Sequence, residues 1–115
     1  MEEIIKRRII AREAAIKKAK SFVECVSAYL SVRKAILIGS YARGDFNISS
    51  DIDILIVVDD DLPSNPIKRL DLVEGCLFKH INIEPIIINV SEYNRLKDKR
   101  NPMVVEAEKH GIQLT

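Results

Sequence analysis

Apolar residues in the first 32 positions return at intervals of three, four or seven. Ile5, Ile9, Ile16, Ala19, Val23, Val26 and Leu30 trace one stripe of a 3.6-residue helix, which Ile4, Ile10, Phe22 and Tyr29 widen. A helix over residues 2–32 exceeds the usual globular length, so it is expected either to break near Ser21 or to project its early turns beyond the body of the protein. The period then changes. Residues 34–38 predict a short buried strand closed by Gly39 and Ser40. The β-branched run 52–58 predicts a second, ending at Asp59, Asp60 and Asp61 ahead of Pro63 and Pro66. Ile67, Leu70, Val73 and Leu77 restore helical spacing between residues 66 and 79 despite Gly75. Residues 81–90 read as a third strand, where Pro85 has no amide for a ladder and predicts a sheet edge or a bulge. Ser91 is expected to cap a helix running through Lys99. Asn101 and Pro102 are expected to open another, Gly111 to follow its last turn, and residues 112–114 to add a brief edge strand. Helices alternating with three or four strands predict an α/β (α+β) fold, a small mixed sheet flanked by helices.

A length of 115 residues fits one compact domain, with little room for a separate substrate-recognition unit. Apolar residues at 47% and charged residues at 30% match a globular chain rather than a disordered one. No apolar run approaches the roughly 20 residues of a membrane span, and the opening residues lack the layout of a secretory signal, so a cytoplasmic protein is expected. The formal net charge is only +1, but its distribution is uneven. Lys6, Arg7, Arg8, Arg12, Lys17, Lys18 and Lys20 crowd the first helix, whereas residues 45–61 hold five aspartates beyond Asp45 and no Lys or Arg. The basic run suits either an acidic partner or, more ordinarily, the wet side of a helix. Cys25 and Cys76 are too few for a disulfide framework and are expected as buried free thiols. His80 and His110 are isolated and expected to be structural or exposed. Tyr41, Phe46 and Tyr93 can stack on a base, but core packing is the commoner role.

The chemistry-bearing segment is Gly39-Ser40-Tyr41-Ala42-Arg43-Gly44, followed by Ser50-Asp51-Ile52-Asp53. Alternation along a strand turns Asp51 and Asp53 to one side with Cα atoms roughly 6.5 Å apart. Two such carboxylates repel and lose hydration unless a cation or donors compensate, and hard Mg²⁺ prefers oxygen ligands. The plain alternative is a solvent-exposed strand entry in which Asp51 caps a turn and Asp53 faces water. Gly39, where a strand gives way to a helix, lets backbone amides approach a phosphate, and Ser40 adds a hydroxyl; the pair could equally be an ordinary strand exit and cap. Arg43 can touch phosphate or pair with Asp45 or Asp51. Glu84 is the sole acidic residue in the run 81–90, and the residues sharing its parity, Asn82, Ile86 and Ile88, make that face largely apolar.

Gly39-Ser40, Ala42-Arg43-Gly44 and Ser50-Asp51-Ile52-Asp53, leading into an apolar strand, together resemble the signature of the DNA polymerase β-like nucleotidyltransferase superfamily. More narrowly the chain resembles the minimal nucleotidyltransferases of bacteria and archaea, encoded beside a helical HEPN-type partner. The likeness covers residues 34–90 closely and 106–114 more loosely. It implies that Gly39 and Ser40 hold the nucleoside triphosphate, with Arg43 and Ser50 in the same nucleotide site. It implies Asp51, Asp53 and Glu84 as catalytic, metal-binding carboxylates for Mg²⁺, two ions being expected. Glu84 stands where aspartate is commoner, and Pro85 beside it is a further departure. The implied reaction moves AMP from ATP to a protein, with the chain as antitoxin of a HEPN-type toxin. A non-catalytic toxin-masking module and an antibiotic nucleotidyltransferase are the alternatives. Nucleic acid is a poor acceptor candidate, since only the first helix offers a basic surface. Ile4, Ile5 and Ile9, uncovered in a monomer, predict a homo-oligomer or heterocomplex.

Overall fold

A computed structural model describes residues 1–47 and 49–115. Its elements are α1 (Glu2–Val26), β1 (Val32–Ile38), α2 (Gly39–Arg43), β2 (Ile52–Val58), α3 (Pro66–Asp71), α4 (Glu74–Lys79), β3 (Ile83–Asn89), α5 (Val90–Asp98), α6 (Pro102–His110) and β4 (Ile112–Gln113). The four strands form one mixed sheet in the order β3-β2-β1-β4. β1 runs antiparallel to both β2 and β4, while β2 and β3 are parallel. β2 is central and buried at every position except Asp53, which is half-buried. Pro85 lies in β3, an edge strand, where its missing amide costs no ladder bond on the open side.

Alternating side chains build a core on each face of the sheet. Ala35, Leu37, Ile54, Ile56, Val58 and Ile87 meet Ala15, Ala19, Phe22, Val23 and Val26 of α1. The two alanines let the helix axis come close to the strands. On the other face Ile36, Ile38, Leu55, Val57 and Ile88 meet Tyr93 of α5 and Val104 and Ala107 of α6. α1 does not break near Ser21; it projects, with Ile4, Ile5, Ile9 and Ile10 each more than half exposed. Among the described residues no helix is long and apolar enough to cross a membrane.

Several boundaries differ from the sequence reading for local physical reasons. The first helix ends at Val26 rather than near residue 32, because the Tyr29 and Leu30 amides both turn back to the Val26 carbonyl. Leu30 still reaches the core, so the apolar rhythm outlasts the helix. The expected single helix over 66–79 divides into α3 and α4 at Val73, whose φ of −125° leaves the helical region. Ile67 is consequently exposed, and the buried residue of α3 is Arg69. Arg69 donates to the carbonyls of Pro63 (2.7 Å) and Ile87 (2.8 Å) and to Glu92 (3.0 Å), so its charge is matched. β3 begins at Ile83 because Asn82 takes a left-handed φ of 66°. Asn89, not Ser91, caps α5, through a reciprocal capping box with Glu92. Asn101 and Pro102 open α6 as expected.

Gly111 follows α6 but is extended, with φ −64°, rather than left-handed. Glycine is needed there for space: a Cβ would sit 2.3 Å from both the Ala107 oxygen and Ile36 Cγ2. Cys25 and Cys76 are not free thiols. They form a disulfide with Cα atoms 5.8 Å apart, joining the end of α1 to α4 across 51 residues of sequence. The helix and the later turn meet only through the tertiary fold, which spacing alone does not report. Tyr41, Phe46 and Tyr93 are all buried, in keeping with core packing. His80 is structural, its Nδ1 lying 2.9 Å from the Cys76 carbonyl and its Nε2 3.1 Å from Ser21 Oγ.

Candidate active site

Asp51 stands immediately before β2 and Asp53 is its second residue, so strand alternation turns both toward one face. Parallel pairing sets Asp53 directly opposite Glu84 of β3, and antiparallel pairing sets it opposite Ile38, the last residue of β1. Asp53 is thereby the middle member of the group. Gly39 follows Ile38 with a φ of +76°, and a Cβ on it would lie 2.4 Å from Asp53 Oδ2. Only glycine satisfies both the backbone conformation and the space that the carboxylate fills.

The electrostatics agree with the register. Burial, and then the charge of Asp51, push the Asp53 carboxyl above the usual range, with a hydrogen bond to Glu84 and then the charge of Arg43 pulling the other way. The Glu84 carboxyl is also raised, first by Asp51, then by burial and by Asp53. The three acids therefore feel one another across two strands. Among the described residues no group of three or more His, Cys, Asp or Glu is already arranged to hold one ion. Glu84 lies within hydrogen-bonding reach of both aspartates, so the three acids meet on one face of the sheet, where a cation would relieve their repulsion.

The remaining predicted residues fall around this group. Ser40 is half-buried in the first turn of α2, and its carbonyl accepts from the Gly44 amide (2.8 Å). Gly44, at φ 93°, ends that turn in the left-handed region. Arg43 is exposed and donates through Nε to Asp45 (3.1 Å) and through Nη1 to Glu106 of α6. Of the two roles open to Arg43 from sequence, the ion pair is the one formed here, with Glu106 as an additional partner. Ser50 Oγ accepts from the Asn47 amide (2.9 Å) and closes the turn that delivers the chain to Asp51.

The basic residues of α1 are not all a wet face. Arg12 donates through Nε to the Tyr41 carbonyl (3.0 Å) and through Nη2 to the Ala42 carbonyl (2.9 Å), and Arg8 donates to the Gly44 carbonyl (2.7 Å). The sequence carried a signal for this. Arg8, Arg12, Ala15, Ala19, Phe22 and Val26 are spaced by four and three in alternation, which continues the inward stripe through half-buried Arg12 to Arg8 at its exposed end.

Comparison with known proteins follows the same lines. The family model described as "Nucleotidyltransferase domain" matches residues 19–112. Two proteins of Methanocaldococcus jannaschii are similar. One, named "Putative protein adenylyltransferase MJ0604", is 55% identical over 82 residues, covering 69% of this chain and 78% of its own. The other, "Putative protein adenylyltransferase MJ0141", is 31% identical over 104 residues, covering 86% and 97%. A crystal structure described as a putative nucleotidyltransferase from Sulfolobus solfataricus superposes with a TM-score of 0.67 at 26% identity, covering 92% of this chain and 84% of that one. A toxin-antitoxin structure with AMP-PNP shares the fold, with a TM-score of 0.57 at 21% identity over 85% and 72%. With the domain match spanning most of the chain and two similar archaeal proteins named as adenylyltransferases, this chain belongs to the nucleotidyltransferase family, within the DNA polymerase β-like superfamily.

Proposed function

We propose that this chain transfers AMP from ATP to a side-chain hydroxyl of a protein, releasing pyrophosphate, and that in the cytoplasm it serves as antitoxin to a helical HEPN-type partner. One observation carries the reading: Asp53 stands between its register partner Glu84 and the Gly39 turn, which has no side chain where the carboxylate lies. The Gly39 turn and the Ser40 hydroxyl hold the triphosphate, with Arg43 lending positive charge from beside them. Ser50 belongs to the site by fixing the turn that aims Asp51.

Asp51, Asp53 and Glu84 fit Mg²⁺ by chemistry, being hard oxygen donors whose crowding already raises two of their pKa values. A bound Mg²⁺ would relieve that repulsion and polarise phosphoryl oxygens. Glu84 is exposed at the sheet edge, where its carboxylate can accept the proton of an attacking hydroxyl. A protein acceptor is supported by the names of the two archaeal relatives, and an antitoxin role by the fold shared with the toxin-antitoxin structure. Labelled AMP should enter the purified HEPN-type partner in the presence of Mg²⁺, and Asp53→Ala should abolish it; no labelling by the parent protein refutes transfer.

A second reading, masking of the partner without transfer, is motivated by Glu84 standing beside Pro85 where the family more commonly has aspartate. Full neutralisation of the partner by the Asp51→Ala, Asp53→Ala double variant would select it.

A further inference from the structure

α2 has five residues, too few to hold helical geometry unaided. Its first residue is the glycine that abuts Asp53, so any drift of this short element moves the turn against the carboxylate. The opposite end is gripped from a distance. Arg12, 29 and 30 residues earlier, donates to the Tyr41 and Ala42 carbonyls, and Arg8 to that of Gly44. These are the oxygens that a helix end leaves without partners, and a charged donor suits them twice over, by hydrogen bonding and by the sign of the terminus. Side-chain packing reinforces the grip: the Arg8 guanidinium lies 4.5 Å from the centre of the Phe46 ring, which stacks on Tyr41 at 4.4 Å.

We infer that Arg12, assisted by Arg8, is a positioning residue for the Gly39–Ser40 turn. The guanidinium forks onto two adjacent carbonyls and fixes α2 as a unit, so the turn keeps its place beside Asp53 while Arg12 itself touches neither nucleotide nor reacting atoms. α1 thereby has a second task besides covering the sheet: Ala15 to Val26 pack the core, and the turns just before them steer the phosphate-binding segment. The inference deepens the proposed nucleotidyl transfer, and its consequence for ATP affinity rests on that reading; its consequence for the rigidity of α2 does not.

The test uses the full chain with Arg12→Met, Arg12→Lys and, as a packing control, Val26→Ala, which removes a fully buried contact of the same helix far from the turn. Backbone order parameters for residues 39–44 are measured by nuclear magnetic relaxation, alongside the affinity for ATP with Mg²⁺. In the parent and Val26→Ala proteins the order parameters should lie near about 0.85, and in Arg12→Met fall below about 0.6. ATP affinity should drop by about tenfold in Arg12→Met, less in Arg12→Lys, which still reaches one carbonyl, and not at all in Val26→Ala. If residues 39–44 are as rigid in Arg12→Met as in Val26→Ala, Arg12 only glues the helix down and the inference fails. If the parent protein takes up no ATP with Mg²⁺, nucleotidyl transfer falls instead, and the order parameters still decide the role of Arg12.

Discussion

Replacing Gly39 by alanine tests the centre of the site with a single methyl group. At φ +76° an L-residue pays roughly 1–2 kcal/mol for the left-handed conformation. The new Cβ would start 2.4 Å from Asp53 Oδ2 and 3.3 Å from its Cγ, so the carboxylate must retreat by about 1 Å to reach ordinary contact. Asp53 cannot do this freely, being held in the central strand with Glu84 on its other side. A 1 Å misplacement of a reacting group costs about 10²-fold in rate. Gly44→Ala separates the two effects, because Gly44 has a comparable φ of +93° but open space where its Cβ would go. Gly44→Ala should lose about 1–2 kcal/mol and Gly39→Ala that much plus the cost of its clash, at about 4–8 °C in melting temperature for each kcal/mol. Only Gly39→Ala should lose Mg²⁺-dependent ATP binding by calorimetry and AMP transfer to the partner, the latter by about 10²-fold. Equal losses of binding in the two variants, or none in Gly39→Ala, would show that the glycine serves the turn alone and that Asp53 is not where nucleotide chemistry occurs.

Two further outcomes concern stability. Burial would raise the Glu92 carboxyl, but the Asn89 amide and the Arg69 guanidinium outweigh it and hold it below its ordinary value near 4.5. A depressed acid stabilises the fold above its unfolded pKa and ceases to as pH falls through the folded one. Glu92→Gln should therefore cost roughly 1.5–3 kcal/mol at neutral pH, with the gap to the parent closing in acid below about pH 4; a pH-independent gap in thermal melts refutes the ion pair as its source. Closing a 51-residue separation with the Cys25–Cys76 bridge should contribute about 4 kcal/mol by chain entropy. Reductant should lower the melting temperature accordingly, and thiol labelling of unreduced, denatured protein should find no free cysteine; two reactive thiols there would refute the bridge.

What the sequence made legible was whatever is written in neighbouring residues. β2 was readable to the residue from six apolar, mostly β-branched positions around Asp53, and Asn101-Pro102 announced α6 because a cap and a fixed φ are local chemistry. The shared side of Asp51 and Asp53 followed from strand alternation, and the placing of Glu84 beside them needed only that two apolar strands pair in register. Long-range partners were invisible: nothing near Cys25 announces Cys76, and nothing near Asn89 shows that Glu92 will also hold Arg69.

Arg12 is the instructive case, because its place is written in the period of the helix. Arg8 and Arg12 continue the four-and-three rhythm of Ala15, Ala19, Phe22 and Val26, just as Arg69 shares the rhythm of buried Val73 and Cys76. Charge points Arg12 to solvent, but period places it, half-buried, against α2, while Arg8 stays exposed even as it reaches Gly44. An arginine on an inward stripe has five donors and no acceptor, and burial makes each unmatched donor costly. It must therefore meet a cluster of oxygens, and the richest cluster in a small α/β domain is the free carbonyls at the end of a short helix or strand. Arg8 and Arg12 end on such carbonyls at the close of α2, and buried Arg69 ends on the loop carbonyl of Pro63 and the edge-strand carbonyl of Ile87. In this fold the inward position of a basic residue points to the backbone it holds, and for Arg8 and Arg12 that backbone begins with the Gly39 turn.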